Sequence, residues 1–149
     1  AGEVRMAGTI RAFEEEDRQT LLCELSRVAR GIAESMRGEV EVRIVEGYPV
    51  GINHPEVTQF AEETVREVFG DAAIHPGIGP STGAEDFMFM SRLVPGTFLR
   101  LGVKDPAWPS AFPVHTPTFQ IDERALPVGA TALVAIAAKY LQAGGLQTG

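Results

Sequence analysis

Pro113-Val114-His115-Thr116-Pro117 carries one imidazole on a short segment with a proline two residues away on either side. Proline fixes its own φ and disfavours helical geometry in the residue before it, so Thr116 is expected to be extended and His115 to ride a stiff strut. Chemically active residues gather on loops that a rigid scaffold positions, and an imidazole held this way suits metal ligation. A metal centre needs three or four ligands, however. His54 falls in the first turn of an expected helix, His75 precedes a proline, and both read as structural histidines. Cys23 is the single cysteine, which excludes an intramolecular disulfide and a cysteine-rich zinc site. The chain therefore offers one ligand without a ligand set.

Two further groupings have a chemical reading. In Pro80-Ser81-Thr82-Gly83-Ala84-Glu85-Asp86-Phe87, Thr82 and Glu85 stand at capping-box spacing and Asp86 complements a helix dipole. The same loop, through Gly83, could turn backbone N–H groups toward a ligand carboxylate or oxyanion. Arg11 lies between Thr9 and Phe13 in an alternating segment. There it either covers an exposed face or points a bidentate fork at a substrate carboxylate. Nothing local decides between these. Tyr48 and Trp108, both in loops, read as side chains that pin those loops down.

The elements that must position these residues follow from periodicity. Residues 3–13 and 40–46 alternate apolar and polar side chains and are expected to be half-buried strands. Between them Glu14-Glu15-Glu16-Asp17 opens a helix over 15–36, with Leu21, Leu25, Val28 and Ile32 as its apolar stripe and Gly38 as its stop. Gly47-Tyr48-Pro49-Val50-Gly51 breaks the pattern and marks a boundary. Asn53 is then expected to cap a helix with Glu56 at the capping-box position, its stripe formed by Val57, Phe60, Ala61, Thr64, Val65 and Val68 and its end set by Gly70. Short strands at 72–75 and 97–102, a glycine- and proline-rich loop at 76–83, a short helix at 85–93, a proline-rich loop at 103–114 and an alanine-rich helix at 126–141 complete the pass. Helices alternating with short buried strands describe part of an α/β sandwich.

Composition bounds the function. The 149 residues are 44% hydrophobic and 22% charged, a globular balance, with only the tail after Gly144 reading as disordered. A net charge of -7 without a basic patch argues against a nucleic-acid partner. No apolar run approaches a membrane span and no leader is visible, so a cytoplasmic setting is expected. Residues 3–13 read as a strand already under way, as in a chain that begins mid-fold.

Four segments taken in order resemble one family. They are Gly8-Thr9-Ile10-Arg11-Ala12-Phe13; Gly47-Tyr48-Pro49 with Asn53-His54-Pro55; Gly83-Ala84-Glu85-Asp86-Phe87; and His115-x-Pro117-x-Phe119 with Asp122-Glu123 and Leu126-Pro127-Val128-Gly129-Ala130. Together they resemble the C-terminal part of the metal-dependent amidohydrolases of the aminoacylase and carboxypeptidase type, in the branch of hippurate hydrolase and the plant auxin-conjugate hydrolases. The resemblance implies an α/β fold: residues 1–47 end an α+β lid that dimerises, and residues 48–149 form the C-terminal part of a catalytic domain. It also implies two divalent metal ions (zinc, manganese or cobalt) and hydrolysis of an amide bond in N-acyl amino acids or small peptides by a homodimer. On this reading His115 is the family's last metal ligand and Arg11 contacts the substrate carboxylate. Gly83, Ala84, Glu85 and Asp86 border the substrate. The other ligands and the general-base glutamate belong to a part of the family's sequence that precedes this one, and Cys23 lies in the lid helix, away from the family's ligand cysteine. Thr82 stands where this branch has a methionine. The expectation is an incomplete hydrolase, inactive by itself; the alternative is a non-catalytic dimerisation or ligand-binding module derived from the lid.

Overall fold

In the computed structural model, residues 2–75, 77 and 79–145 are described. Pro76 and Ile78 of the glycine- and proline-rich loop, and residues 146–149 of the tail expected to be disordered, lie outside them. Four α-helices appear: α1 (Glu15–Ser35), α2 (Pro55–Phe69), α3 (Phe87–Ser91) and α4 (Ala125–Gln142), with a 3-10 turn at Asp71–Ala73. They fall into two compact units. One comprises Ala1–Ile52 and Ile78–Leu93, the other Asn53–Gly77 and Val94–Gly149.

In the first unit α1 starts at the acidic cluster as expected, with Glu15, Glu16 and Asp17 in its first turn. Its end is a Schellman motif: Gly38 N–H donates to the Ala33 carbonyl at 2.8 Å and Arg37 N–H to the Glu34 carbonyl at 3.0 Å. The left-handed position falls on Arg37, with φ 56, one residue before the glycine expected to stop the helix. The stripe has the expected spacing, yet Leu25, Val28, Ile32 and Met36 are all exposed. Glu15 gathers the surrounding chain. Its carboxylate accepts from Gln19 Nε2 at 2.8 Å, Arg18 Nη1 at 2.9 Å and Val50 N at 3.5 Å, and Arg92 stands 3.8 Å away. The Gln19 hydrogen bond foremost, with those from Val50 and Arg18, holds this carboxyl below its ordinary range against a smaller opposing effect of burial. Tyr48 packs obliquely on Phe89, ring centroids 5.7 Å apart.

In the second unit α2 and α4 pack together. Ala61 and Thr64 of α2 are buried, and Val57, Phe60 and Val65 are half-buried. Lys139 of α4 reaches Glu67 at 2.6 Å and lies 5.6 Å from the centre of the Phe60 ring. Asn53 does not cap α2. His54 occupies that position without a side-chain bond, and the Asn53 amide instead pairs with both backbone groups of Phe98, accepting from its N at 2.8 Å and donating to its O at 3.1 Å. A primary amide carries a donor and an acceptor side by side, so it can stand in for a neighbouring strand. Helix α4 ends in a second Schellman motif, Gly145 N–H to Tyr140 O at 3.0 Å and Gly144 N–H to Leu141 O at 3.2 Å, with both glycines at positive φ.

The strands expected at 3–13, 40–46, 72–75 and 97–102 are not formed: no strand occurs among the described residues. Alternation is a property of one segment, whereas a ladder needs a partner at about 4.8 Å. The 72–75 segment begins instead in the 3-10 turn. The helix expected over 85–93 shortens to Phe87–Ser91, entered through turn bonds from Met88 N to Glu85 O and Phe89 N to Asp86 O. The reading that no apolar run approaches a membrane span is also corrected. By length and composition α4 is long and apolar enough to cross one, with mean hydropathy 1.3 over 18 residues.

Candidate functional site

The first unit joins two of the sequence-selected groupings. Arg11 donates from Nη1 to the Thr82 carbonyl oxygen at 2.6 Å, across 71 positions of sequence. Thr82 directly precedes Gly83, Ala84, Glu85 and Asp86, so the arginine is tied to the loop read as bordering the substrate. An anchored guanidinium keeps further N–H donors in a fixed plane, the geometry that a carboxylate accepts. Arg11 also lines an open recess of about 400 Å³ with Ala12, Phe13, Asp17, Thr20 and Leu21.

The loop itself departs from both local readings. No capping box forms between Thr82 and Glu85; Asp86 stands at the N-cap of α3 with helical φ and ψ and makes no side-chain cap bond. Gly83 N–H is taken by Ser81 Oγ at 3.2 Å, so this donor is not held open for an anion. Glu85 and Asp86 are exposed.

His115 lies in the second unit. The strut expected around it is a pair of tight turns. Phe119 N–H donates to the Thr116 carbonyl at 3.1 Å, while Thr116 Oγ1 donates to the Pro113 carbonyl at 2.8 Å and meets Thr118 Oγ1 at 3.3 Å. His115 has φ 64, one of two non-glycine residues at positive φ among those described. That region is sparsely populated by residues with a Cβ, though histidine visits it more than most. The imidazole is exposed and makes no polar contact with the described residues. It fits a single ligand position. No group of three or more His, Cys, Asp or Glu that could hold a metal occurs among the described residues, so any complete ligand set includes groups from outside them.

Sequence reasoning missed what holds the loop bearing His115. Asp122 N–H donates to the Val103 carbonyl at 2.8 Å and closes the base of the 103–122 segment. Arg124 then grips both ends: Nε lies 2.9 and 3.0 Å from the two Asp122 oxygens, and Nη2 lies 2.5 Å from Asp105 Oδ2. The Arg124 side-chain bond foremost, with its backbone N–H and its charge, holds the Asp122 carboxyl below the ordinary aspartate range; the same pairing raises Arg124. Within the loop Asp105 also accepts from Ala107 N at 2.8 Å, and Trp108 meets Phe112 edge to face at 5.2 Å. The signal was present, since Asp122 belongs to the motif segment, but the second partner of Arg124, Asp105, is too far along the chain for spacing to connect the two.

Residues 3–139 match the model of peptidase family M20/M25/M40. A protein of Synechocystis sp. named as a probable hydrolase is 32% identical over 142 residues, which is 95% of this chain and 36% of that protein. Thermostable carboxypeptidase 1 of Saccharolobus solfataricus is 30% identical over 93% of this chain and 34% of its own length. An IAA-amino acid hydrolase of Arabidopsis thaliana is 30% identical over 93% of this chain and 30% of its own length. The chain thus spans about a third of the curated relatives it matches. With the family model covering nearly all of it, the chain belongs to peptidase family M20/M25/M40.

Proposed function

We propose that this chain is the C-terminal portion of a metal-dependent amidohydrolase that cleaves an amide bond in N-acyl amino acids or small peptides, and that it is inactive by itself. On this reading the fold of the complete domain is α/β. Residues 1–47 end a lid that dimerises, residues 48–149 return into the catalytic domain, and the enzyme is a cytoplasmic homodimer. Relatives named as a carboxypeptidase and as an IAA-amino acid hydrolase support the substrate class. The observation that supports the site most is the 2.6 Å bond from Arg11 to Thr82.

His115 would hold a metal through one neutral ring nitrogen, the remaining ligands lying outside the described residues. Two divalent ions (zinc, manganese or cobalt) would polarise the amide carbonyl and acidify the attacking water. Arg11, anchored on Thr82, would direct its free N–H groups at the substrate carboxylate and so orient the scissile bond. Gly83, Ala84, Glu85 and Asp86 would border the substrate beside that guanidinium.

The test compares this chain with the complete hydrolase, each given divalent metal and an N-acyl amino acid. Turnover is expected from the complete enzyme only. Replacing Arg11 by Gln should raise KM roughly 10- to 100-fold for substrates with a free carboxylate, the range for losing a charge-assisted hydrogen bond. The corresponding carboxamides should change little. Hydrolysis by this chain alone, or equal losses for both substrate types, would sink the reading.

A further inference from the structure

Arg124 and its two aspartates have no place in the chemistry so far, yet they close the loop on which His115 stands. Residues 103 and 122 are joined by a backbone bond of 2.8 Å. Beyond that bond Arg124 spans from Asp122 to Asp105 with three hydrogen bonds between 2.5 and 3.0 Å. Asp105 and Asp122 are the better covered members, with side chains 25% and 18% exposed, while Arg124 is 72% exposed. The grip is one Nε–H shared between the two Asp122 oxygens and a separate Nη2–H on Asp105, donors set in one plane in a way that a lysine ammonium does not reproduce.

What the clamp holds explains why it matters. His115 lies midway between flanking prolines in a left-handed conformation that its own side chain disfavours. Such a conformation persists only where the surroundings over-determine it. The bonds inside the turn are local: Thr116 to Pro113, Thr116 to Thr118 and Phe119 to Thr116. They shape the turn itself. The base of the loop adjoins α4, since Arg124 immediately precedes Ala125, the first residue of that helix.

We propose that Arg124 is a positioning residue for the metal centre: by bridging Asp105 and Asp122 it closes the 103–122 loop and fixes the His115 imidazole relative to α4. This rests on the reading of His115 as a metal ligand. A ligand held in place need not be ordered when the metal binds, so loosening the loop weakens the metal without touching the imidazole.

The experiment is a zinc titration against a competing chelator in the complete hydrolase, read as a dissociation constant beside the melting temperature of the metal-free protein. The variants are Arg124→Gln, Asp105→Asn, the double variant, Arg124→Lys and His115→Ala. Arg124→Gln and Asp105→Asn should each weaken zinc about tenfold, the low end for groups that orient a ligand from outside. The double variant should be no worse than the weaker-binding single one, Arg124→Lys should fall between, and metal-free melting should stay put. Wild-type zinc affinity in both single variants would overturn the proposal. So would a loss of affinity matched by equal loss of metal-free stability in every variant, which marks a merely structural clamp. If His115→Ala leaves zinc unchanged, the reading of His115 itself fails and takes this inference with it. If only Arg124→Gln and Asp105→Asn leave it unchanged, that reading stands and the clamp alone is refuted.

Discussion

Separating this chain from the rest of the hydrolase should leave it without a cooperative fold. The chain exposes 11977 Å². Two compact domains with the lengths of its two units would expose about 9,000 Å² between them, and each would already be small for independent stability. The excess of about 3,000 Å² is several times the roughly 800 Å² that one partner contributes to an ordinary protein interface. It is also apolar in the places that matter, with Ile32 60%, Met36 77%, Leu133 64% and Val134 68% exposed. Among the described residues only Pro49, Ala61 and Thr64 are buried. A surface of that size and character behaves as half of an obligate interface, and on the proposed reading its cover is the preceding part of the hydrolase.

The assay follows from that area. The chain alone should show a broad, weakly sloping urea transition and strong binding of a hydrophobic fluorophore, since m scales with the surface newly exposed on unfolding. Co-expressed with the preceding portion of the hydrolase, it should co-purify in equal amounts, lose the fluorophore signal and unfold in a steeper transition. A monomeric chain, by sedimentation, that unfolds sharply in urea without binding the fluorophore would refute the reasoning. It would mean that the exposed stripes are covered by some rearrangement within the chain itself.

Arg37 holds the left-handed position of a Schellman motif that favours glycine, so Arg37→Gly should relieve about 1 kcal/mol locally. Hydrogen exchange at the Arg37 and Gly38 amides should slow about fivefold, and unchanged or faster exchange would show that the strain is not there. Glu15 titrates below the ordinary glutamate range because Gln19, Val50 and Arg18 bond to its ionised form. Its contribution is therefore complete above the ordinary value, near pH 4.3, and is lost as pH falls through the lowered one. Glu15→Gln should flatten that part of the acid limb of stability, measured as the urea midpoint of the complete hydrolase between pH 5 and pH 2.5; an unaltered limb would refute it.

The helices were legible because their signals are local. Three or four apolar residues per two turns and a cluster of acids at the start located α1, α2 followed from the same periodicity, and α4 from its alanine-rich run. The partners of polar side chains were not. Asn53 has the residue type and position of an N-cap, but Phe98 offers it two backbone groups at once, and no rule of spacing reaches across 45 positions. Arg124 was invisible for the same reason, since half of its grip lies on Asp105, 19 residues back.

The missing strands are a different kind of failure. Residues 3–13 and 40–46 alternate apolar and polar side chains, but a ladder is a joint property of neighbouring segments. The same holds for the α1 stripe, whose spacing is right and whose side chains stand in solvent. One chemical fact points the same way: His115 is a ligand type held in a costly conformation, with no ligand set among the described residues. Strand patterns without partners, an apolar stripe without cover and a ligand without a set have one physical source in common. Each is a local specification that the described residues leave without its complement; on the proposed reading the rest of the hydrolase supplies it, the chain spanning about a third of the relatives it matches.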